Sequence, residues 1–446
     1  MGSSNLSLKL PARYSSFLPR FYRLGTVSII SNMMVPLAGI VDTAFLGHLA
    51  DIRYLAGVIL ASILFDYLYR ILKFFRNSTN AITAEAVGQD DDKGIILALL
   101  RSALIAGFIG ILILVLQYPI QKLGFAILTG SKDIENFGID YFNARIWGSP
   151  AVLLNFVLIG WFLGREKNSL VLLISLVVNF SNIVLDYFTI NQWGWGSTGA
   201  GFATAISQYL GLLVGLIGVS LSIPWKILPT VIKEVFDKQA LKASIALKGN
   251  ILVRYLAMIT AYSIFTNLSA AMGNEIVAEN GLLLQIVLLS QFTVNGIGLT
   301  TQSLTGNFKG KGETEKMIPL LQISIFTGVL IAFVFASISI LFPQIIFGLL
   351  TNHKDISESV FVYRDWLLPL LICGAIALMF EGYTVGLKQG NILRNSALIA
   401  LGLGFIPVAI LGWYFQNNHL LWLSLTSYMA TLMIALGVQI PRIQSK

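Results

Sequence analysis

Twelve apolar stretches, each long enough to cross about 30 Å of hydrocarbon, leave this chain few folds to choose from. They lie at roughly 24–47, 54–87, 95–118, 137–163, 169–190 and 198–223, and again at 251–272, 276–308, 317–342, 359–387, 392–415 and 420–440. Inside a bilayer every backbone polar group has to be satisfied by the chain itself, so only helices and closed barrels span it. Barrel strands are about ten residues long and alternate in polarity, whereas these runs are continuous. The sequence therefore predicts an all-α polytopic membrane protein with twelve transmembrane helices in two pseudo-symmetric sets of six.

Composition agrees. Only 12% of the 446 residues are charged and 56% are hydrophobic, while a soluble domain carries about 25% charged residues. The formal net charge of +8 comes from bases scattered through short loops, with no stripe of the kind a nucleic acid needs, so no nucleic-acid partner is expected. Cys373 is the single cysteine, and His48, His353 and His419 are dispersed. That pattern offers no disulfide framework and no thiolate or histidine metal centre. The basic residues of the N-terminus, Lys9, Arg13, Arg20 and Arg23, precede no short apolar core with a small-residue cleavage site, so no cleaved signal peptide is read.

Placing the N-terminus inside assigns nineteen Lys and Arg residues to inner segments and only Arg53, Lys122, Lys132 and Lys354 to outer loops. This bias predicts a multi-pass protein of the cell (inner) membrane with both termini in the cytoplasm. Trp193 and Trp195 suit an anchor at the outer interface. The long inner connection divides the chain into an N-terminal six-helix lobe (1–223), an inter-lobe loop (224–250) and a C-terminal six-helix lobe (251–446). Within the loop, Val231, Ile232, Val235 and Phe236 suggest a short amphipathic helix on the membrane surface. Asn77, Thr83 and Gly88 recur as Asn295, Thr301 and Gly306 at equivalent places in the two sets, as expected of a parallel repeat.

The chemistry concentrates in the outer half of the first lobe. Asp42 stands in the first helix, six residues after Pro36, whose missing donor should bend the helix ahead of the acid. An ionisable group at that depth marks a functional site or a polar contact that glues helices. In helix five Asn182 and Asp186 share a face at i, i+4, and helix six brings Thr204. Asp42 and Asp186 each lie 18 residues from the inner end of their helices, about 27 Å. Two carboxylates, an amide and a hydroxyl at one depth suit a proton or a small hard cation such as Na+, and acids in close proximity titrate as a coupled pair.

Several segments resemble the multidrug and toxic compound extrusion (MATE) family, in its DinF-like branch. They are Pro36…Asp42-Thr43-Ala44…Gly47; Arg76 with Thr83-Ala84; Arg145-Ile146-Trp147-Gly148-Ser149-Pro150-Ala151; Gly160-Trp161-Phe162-Leu163-Gly164-Arg165; Asn182…Asp186; and Gly199-Ala200-Gly201-Phe202-Ala203-Thr204. The resemblance spans nearly the whole chain. It implies a secondary active antiporter, not an enzyme, exporting hydrophobic or cationic drug-like molecules in exchange for H+ or Na+, with two lobes around a central cavity. It further implies a coupling-cation site at Asp42, Asn182, Asp186 and Thr204. No cofactor beyond the coupling ion is expected, and the partners are a small molecule, membrane lipid and, for the protein itself, the monomeric state.

Glu381, Asp66, Arg70 and Gln302 are candidates for the substrate path. Glu381 could serve as a second acid, or be solvated or paired near Lys388. Asp66 and Arg70, at i, i+4, read as a neutralising pair or a polar cavity wall. Gln302 stands where family members often carry an acid, and Arg145 and Arg254 read as interfacial or paired. Two competing functions remain: a lipid-linked saccharide flippase, which would want a strongly cationic cavity, and a membrane transferase using Asp90-Asp91-Asp92. That acidic run has no second acidic cluster beside it and reads as surface charge.

Overall fold

The computed structural model describes residue 14 and residues 16–47, 49, 51–128, 131–350 and 360–444, with the side chains of 35–43, 52, 349, 350, 443 and 444 left aside. Its helices confirm the all-α membrane architecture. We number the long ones α1 (Leu18–Gly47), α2 (Arg53–Gly88), α3 (Asp92–Val115), α4 (Lys132–Gly164), α5 (Asn168–Gln192) and α6 (Gly196–Ser220). The second set is α7 (Lys238–Met272), α8 (Asn274–Lys311), α9 (Thr314–Leu341), α10 (Arg364–Gly386), α11 (Gly390–Tyr414) and α12 (Asn418–Arg442). Eleven of these, α2 to α12, are long and apolar enough to cross a membrane among the described residues, and the 30-residue α1 makes twelve.

Local sequence explains where the helices begin and bend. Asp51, Asp91 and Asp237 accept the N–H groups of Arg53, Gly94 and Ala240 at 3.0, 2.9 and 2.7 Å and so cap α2, α3 and α7. Asp91 thereby gives the acidic run a capping role. Arg53 also donates through its side chain to Asp51 and holds that carboxyl below its ordinary value. In α4 a tight turn at Ile146–Gly148 precedes Pro150, because proline has no N–H for the carbonyl of Ile146 and crowds it. The fifth helix of each set carries a π turn, Tyr187–Gln192 in α5 and Ala400–Phe405 in α11. The expected single helix over 54–87 is instead interrupted at Lys73.

Packing falls mostly within each set: α4 lies against α2, α3 and α6, and α10 against α8, α9 and α12. The sets meet where α1 and α2 pack on α8, and α2 on α7. The amphipathic segment of the connecting loop is the helix Leu228–Glu234. The four apolar residues expected to share a face do not share one environment: Val231, and Val235 just past the helix end, are buried against Ile96 and Leu97 at the start of α3, while Ile232 and Phe236 remain exposed.

Candidate functional site: an inter-set cavity and a buried acid on α5

Asp186 and Asn182 occupy one face of α5, one turn apart. Both are buried, Asp186 with no measurable exposure and Asn182 at 2%. Neither polar atom of the Asn182 amide has a hydrogen-bond partner among the described residues, a situation that costs about 1–3 kcal/mol and leaves the amide available to a ligand. The π turn begins directly after Asp186. Such turns free a carbonyl from the regular ladder and are frequent at functional sites.

The neighbours of this face are fixed by small residues and one amide. A Cβ at Gly199 of α6 would meet the Thr189 carbonyl at 3.0 Å, so glycine lets α6 close on α5. Thr204, half-buried on α6, donates to the Ala200 carbonyl at 2.9 Å. Asn168, at the start of α5, donates to the Leu24 carbonyl and the Ser28 hydroxyl, both at 3.0 Å, and ties α5 to α1. The α1 backbone runs helically through Pro36 and Asp42; their side chains, and with them the expected bend and the first-helix acid, lie outside the described residues. Asn182 and Asp186 thus share a buried face of α5, a helix that packs on both α1 and α6, the second of which carries Thr204.

A cavity of roughly 230 Å³ lies between α2 of the first set and α7 and α8 of the second. Asp66 and Arg70 line it, opposite Tyr262, Ser263 and Gln291. Although they stand one turn apart, they form no ion pair with each other within 4.0 Å, and both side chains face the cavity instead. Gln291 donates to the Tyr262 hydroxyl at 2.7 Å, and the Tyr67 and Ser263 hydroxyls meet across the sets at 3.3 Å.

Farther along α2 the two sets close on one another. Asn77 donates to the Tyr255 hydroxyl at 3.2 Å, Gln302 to the Asn77 carbonyl at 2.7 Å and Ser303 to the Asn80 side chain at 2.9 Å. Gln302 is therefore a buried strut of this contact and does not line the cavity. Beyond it, a Cβ at Gly88 would stand 2.2 Å from the Asn307 carbonyl oxygen, and one at Gly310 2.3 Å from the Glu85 carbonyl oxygen. Glu85 is paired with Lys309 at 3.2 Å and with Lys388. Arg20 is paired with Glu166 and donates to Asn307 at 2.9 Å.

Glu381 is neither solvated nor paired with Lys388, which Glu85 occupies. It forms a buried ion pair with Arg254, joining α10 to α7. Arg145 donates to the Tyr141 hydroxyl at 2.7 Å and lies 4.6 Å over the Phe65 ring, a paired role. Sequence reasoning passed over Glu85 and Arg20. The available signal was an acid near the end of α2 facing two lysine-bearing turns, which becomes specific only once the sets are docked.

Comparison with known proteins gives the same architecture. The MatE family model matches residues 28–188 and 251–411, one copy in each set. DNA damage-inducible protein F of Escherichia coli is 28% identical over 92% of this chain and 89% of its own. An outward-facing multidrug resistance MATE family transporter superposes with a TM-score of 0.86 at 18% identity, covering 95% of both chains. A MOP superfamily transporter from Pyrococcus furiosus does so at 0.85 and 18%, covering 96% of both. Two family repeats, six helices in each set and a cavity between them converge on one assignment: the chain belongs to the MatE family, whose members are membrane transporters and not enzymes.

Proposed function

We propose that this protein is a secondary active multidrug efflux antiporter of the cell (inner) membrane, moving hydrophobic small molecules outward against an inward flow of H+ or Na+. The carrying observation is the cavity between the two sets, walled by helices of both and separated by a tight inter-set contact from the end that holds Gly88 and Lys309. The bias of basic residues makes that end cytoplasmic and puts both termini there, so the cavity belongs to an outward-facing state. Relatives described as multidrug resistance proteins, among them NorM of Thermotoga maritima at 22% identity, support the drug-efflux reading.

On this reading residues 1–223 form the lobe that holds the coupling site, residues 251–446 form the second lobe and 224–250 join them, in a monomer. Asp42 and Asp186 take up the coupling ion, with Asn182 and Thr204 as supporting ligands and Pro36 as the bend in α1. A set of oxygen ligands accepts a proton or Na+. Binding neutralises a buried charge and so favours one arrangement of the lobes, while substrate favours the other. The test is export from liposomes with pH and sodium gradients imposed independently. Export driven by one gradient and lost in Asp186→Asn is expected; equilibration indifferent to both gradients would exclude antiport.

A further inference from the structure

The turn that joins α4 to α5 carries two bases, Arg165 and Lys167, and the acid between them, Glu166, is paired with Arg20. Both bases close instead on Ser222, just past the end of α6. Arg165 donates to the Ser222 carbonyl at 3.3 Å and Lys167 to the Ser222 hydroxyl at 2.9 Å. The guanidinium lies 4.4 Å over the Trp161 ring, and its Nη1 has no hydrogen-bond partner among the described residues. Neither base makes an ion pair there. Burial lowers the pKa of both; Asp92 at the start of α3 partly opposes this for Arg165, and Arg165 adds to it for Lys167.

The border of this site is apolar and exposed. Leu213, Ile217 and Leu221 form a row at steps of four on α6, each exposed by half or more. Exposed Trp225 donates to the Ser220 carbonyl at 3.0 Å, which sets an indole beside Ser222, as at a membrane boundary. The connecting segment keeps to that level. Arg101, nine residues after Asp92 and so roughly 13 Å along α3, donates to the Glu234 and Val235 carbonyls at 2.7 and 3.2 Å. It holds exposed Ile232 and Phe236 alongside a membrane-spanning helix. Lys226, Lys233, Lys238 and Lys242 are exposed on the same segment and make no ion pair among the described residues. Its acids are engaged, Glu234 with Lys93 at 3.3 Å and Asp237 in capping α7.

We propose that Arg165, Lys167 and Ser222 seat the phosphate of an anionic phospholipid, whose acyl chains run along Leu213, Ile217 and Leu221 with Trp225 at their neck. The phosphodiester supplies the counter-charge that the turn lacks and accepts charge-assisted hydrogen bonds from both bases. The free lysines of the connecting segment attract the same leaflet, and the apolar row selects a lipid over free phosphate. A lipid held there ties the segment between the two sets to the membrane. The assignment does not depend on what the protein exports.

The experiment uses the full chain in phosphatidylcholine nanodiscs that contain rising fractions of phosphatidylglycerol or phosphatidylcholine brominated high in the acyl chain, since bromine quenches only tryptophans close to it. The Trp225 signal is the difference between the parent and Trp225→Phe. Half-maximal quenching of that signal should need about a tenfold lower fraction of the brominated anionic lipid than of the brominated zwitterionic one. Arg165→Gln and Lys167→Gln should each reduce this preference about fivefold, while Lys167→Arg keeps it. Quenching by brominated phosphatidylcholine should stay unchanged in all of them, which a misfolded chain would not show. Inorganic phosphate, added at constant ionic strength, should not relieve the quenching. Equal quenching by the two lipids, a preference that survives both glutamine substitutions, or relief by inorganic phosphate would overturn the proposal. The two leaflets of a nanodisc share one composition, so the result is independent of the orientation assigned above.

Discussion

The Glu381 carboxylate on α10 and the Arg254 guanidinium on α7 are partners in an ion pair almost closed to solvent, with side-chain exposures of 7% and 4%. Each charge is tolerated at that depth because the other is present. Breaking a buried pair by removing one partner costs about 3–5 kcal/mol, while replacing both with well-packed apolar residues is often neutral. Glu381→Ala and Arg254→Ala should each lower the melting temperature in detergent, and Arg254→Met combined with Glu381→Leu should recover most of it. Single variants that melt like the parent would show that the pair is structurally idle.

The coupling assignment makes a prediction about non-additivity. If Asp42 and Asp186 act as one ion-binding unit, Asp42→Asn and Asp186→Asn should each abolish gradient-driven export at unchanged expression, and the double variant should be little worse than either. Wild-type export by either single variant would remove that residue from the site.

How much of this was readable beforehand follows from the range of each interaction. The twelve helices and the Asn182 and Asp186 face depend on local pattern, apolar run length and an i, i+4 spacing, so the sequence displays them directly. The partners of Glu85 lie far off in sequence, Lys309 in the last turn of α8 and Lys388 in the turn between α10 and α11, and are chosen only when the two sets dock. The same holds for Glu381, whose nearest base in sequence, Lys388, is not its partner. The interruption of α2 at Lys73 has no proline or glycine to announce it.

On the orientation proposed above, the paired lysines around Glu85 should stabilise the closed end of the molecule that faces inward. Glu85→Gln removes the acid shared by Lys309 and Lys388 and should shift the population toward inner opening. In a Cys373→Ser background, a cysteine placed at Ser303 should react with a membrane-impermeant maleimide applied from the cytoplasmic side severalfold faster when Glu85→Gln is present. Equal rates would mean that the hydrogen bonds and glycine contacts alone hold this end shut.

Those glycine contacts determine what the protein does when it carries no cargo. With the backbone of α2 at Gly88 against that of α8 at Asn307 and Gly310, the inner end leaves no width for a file of water molecules. A protein shut in this way insulates the bilayer and keeps the stored ion gradient from running down through an idle carrier. Gly88→Ala, whose methyl group would force the two backbones apart, should make the same protein a slow proton leak, seen as faster decay of an imposed pH difference across proteoliposomes that contain no substrate.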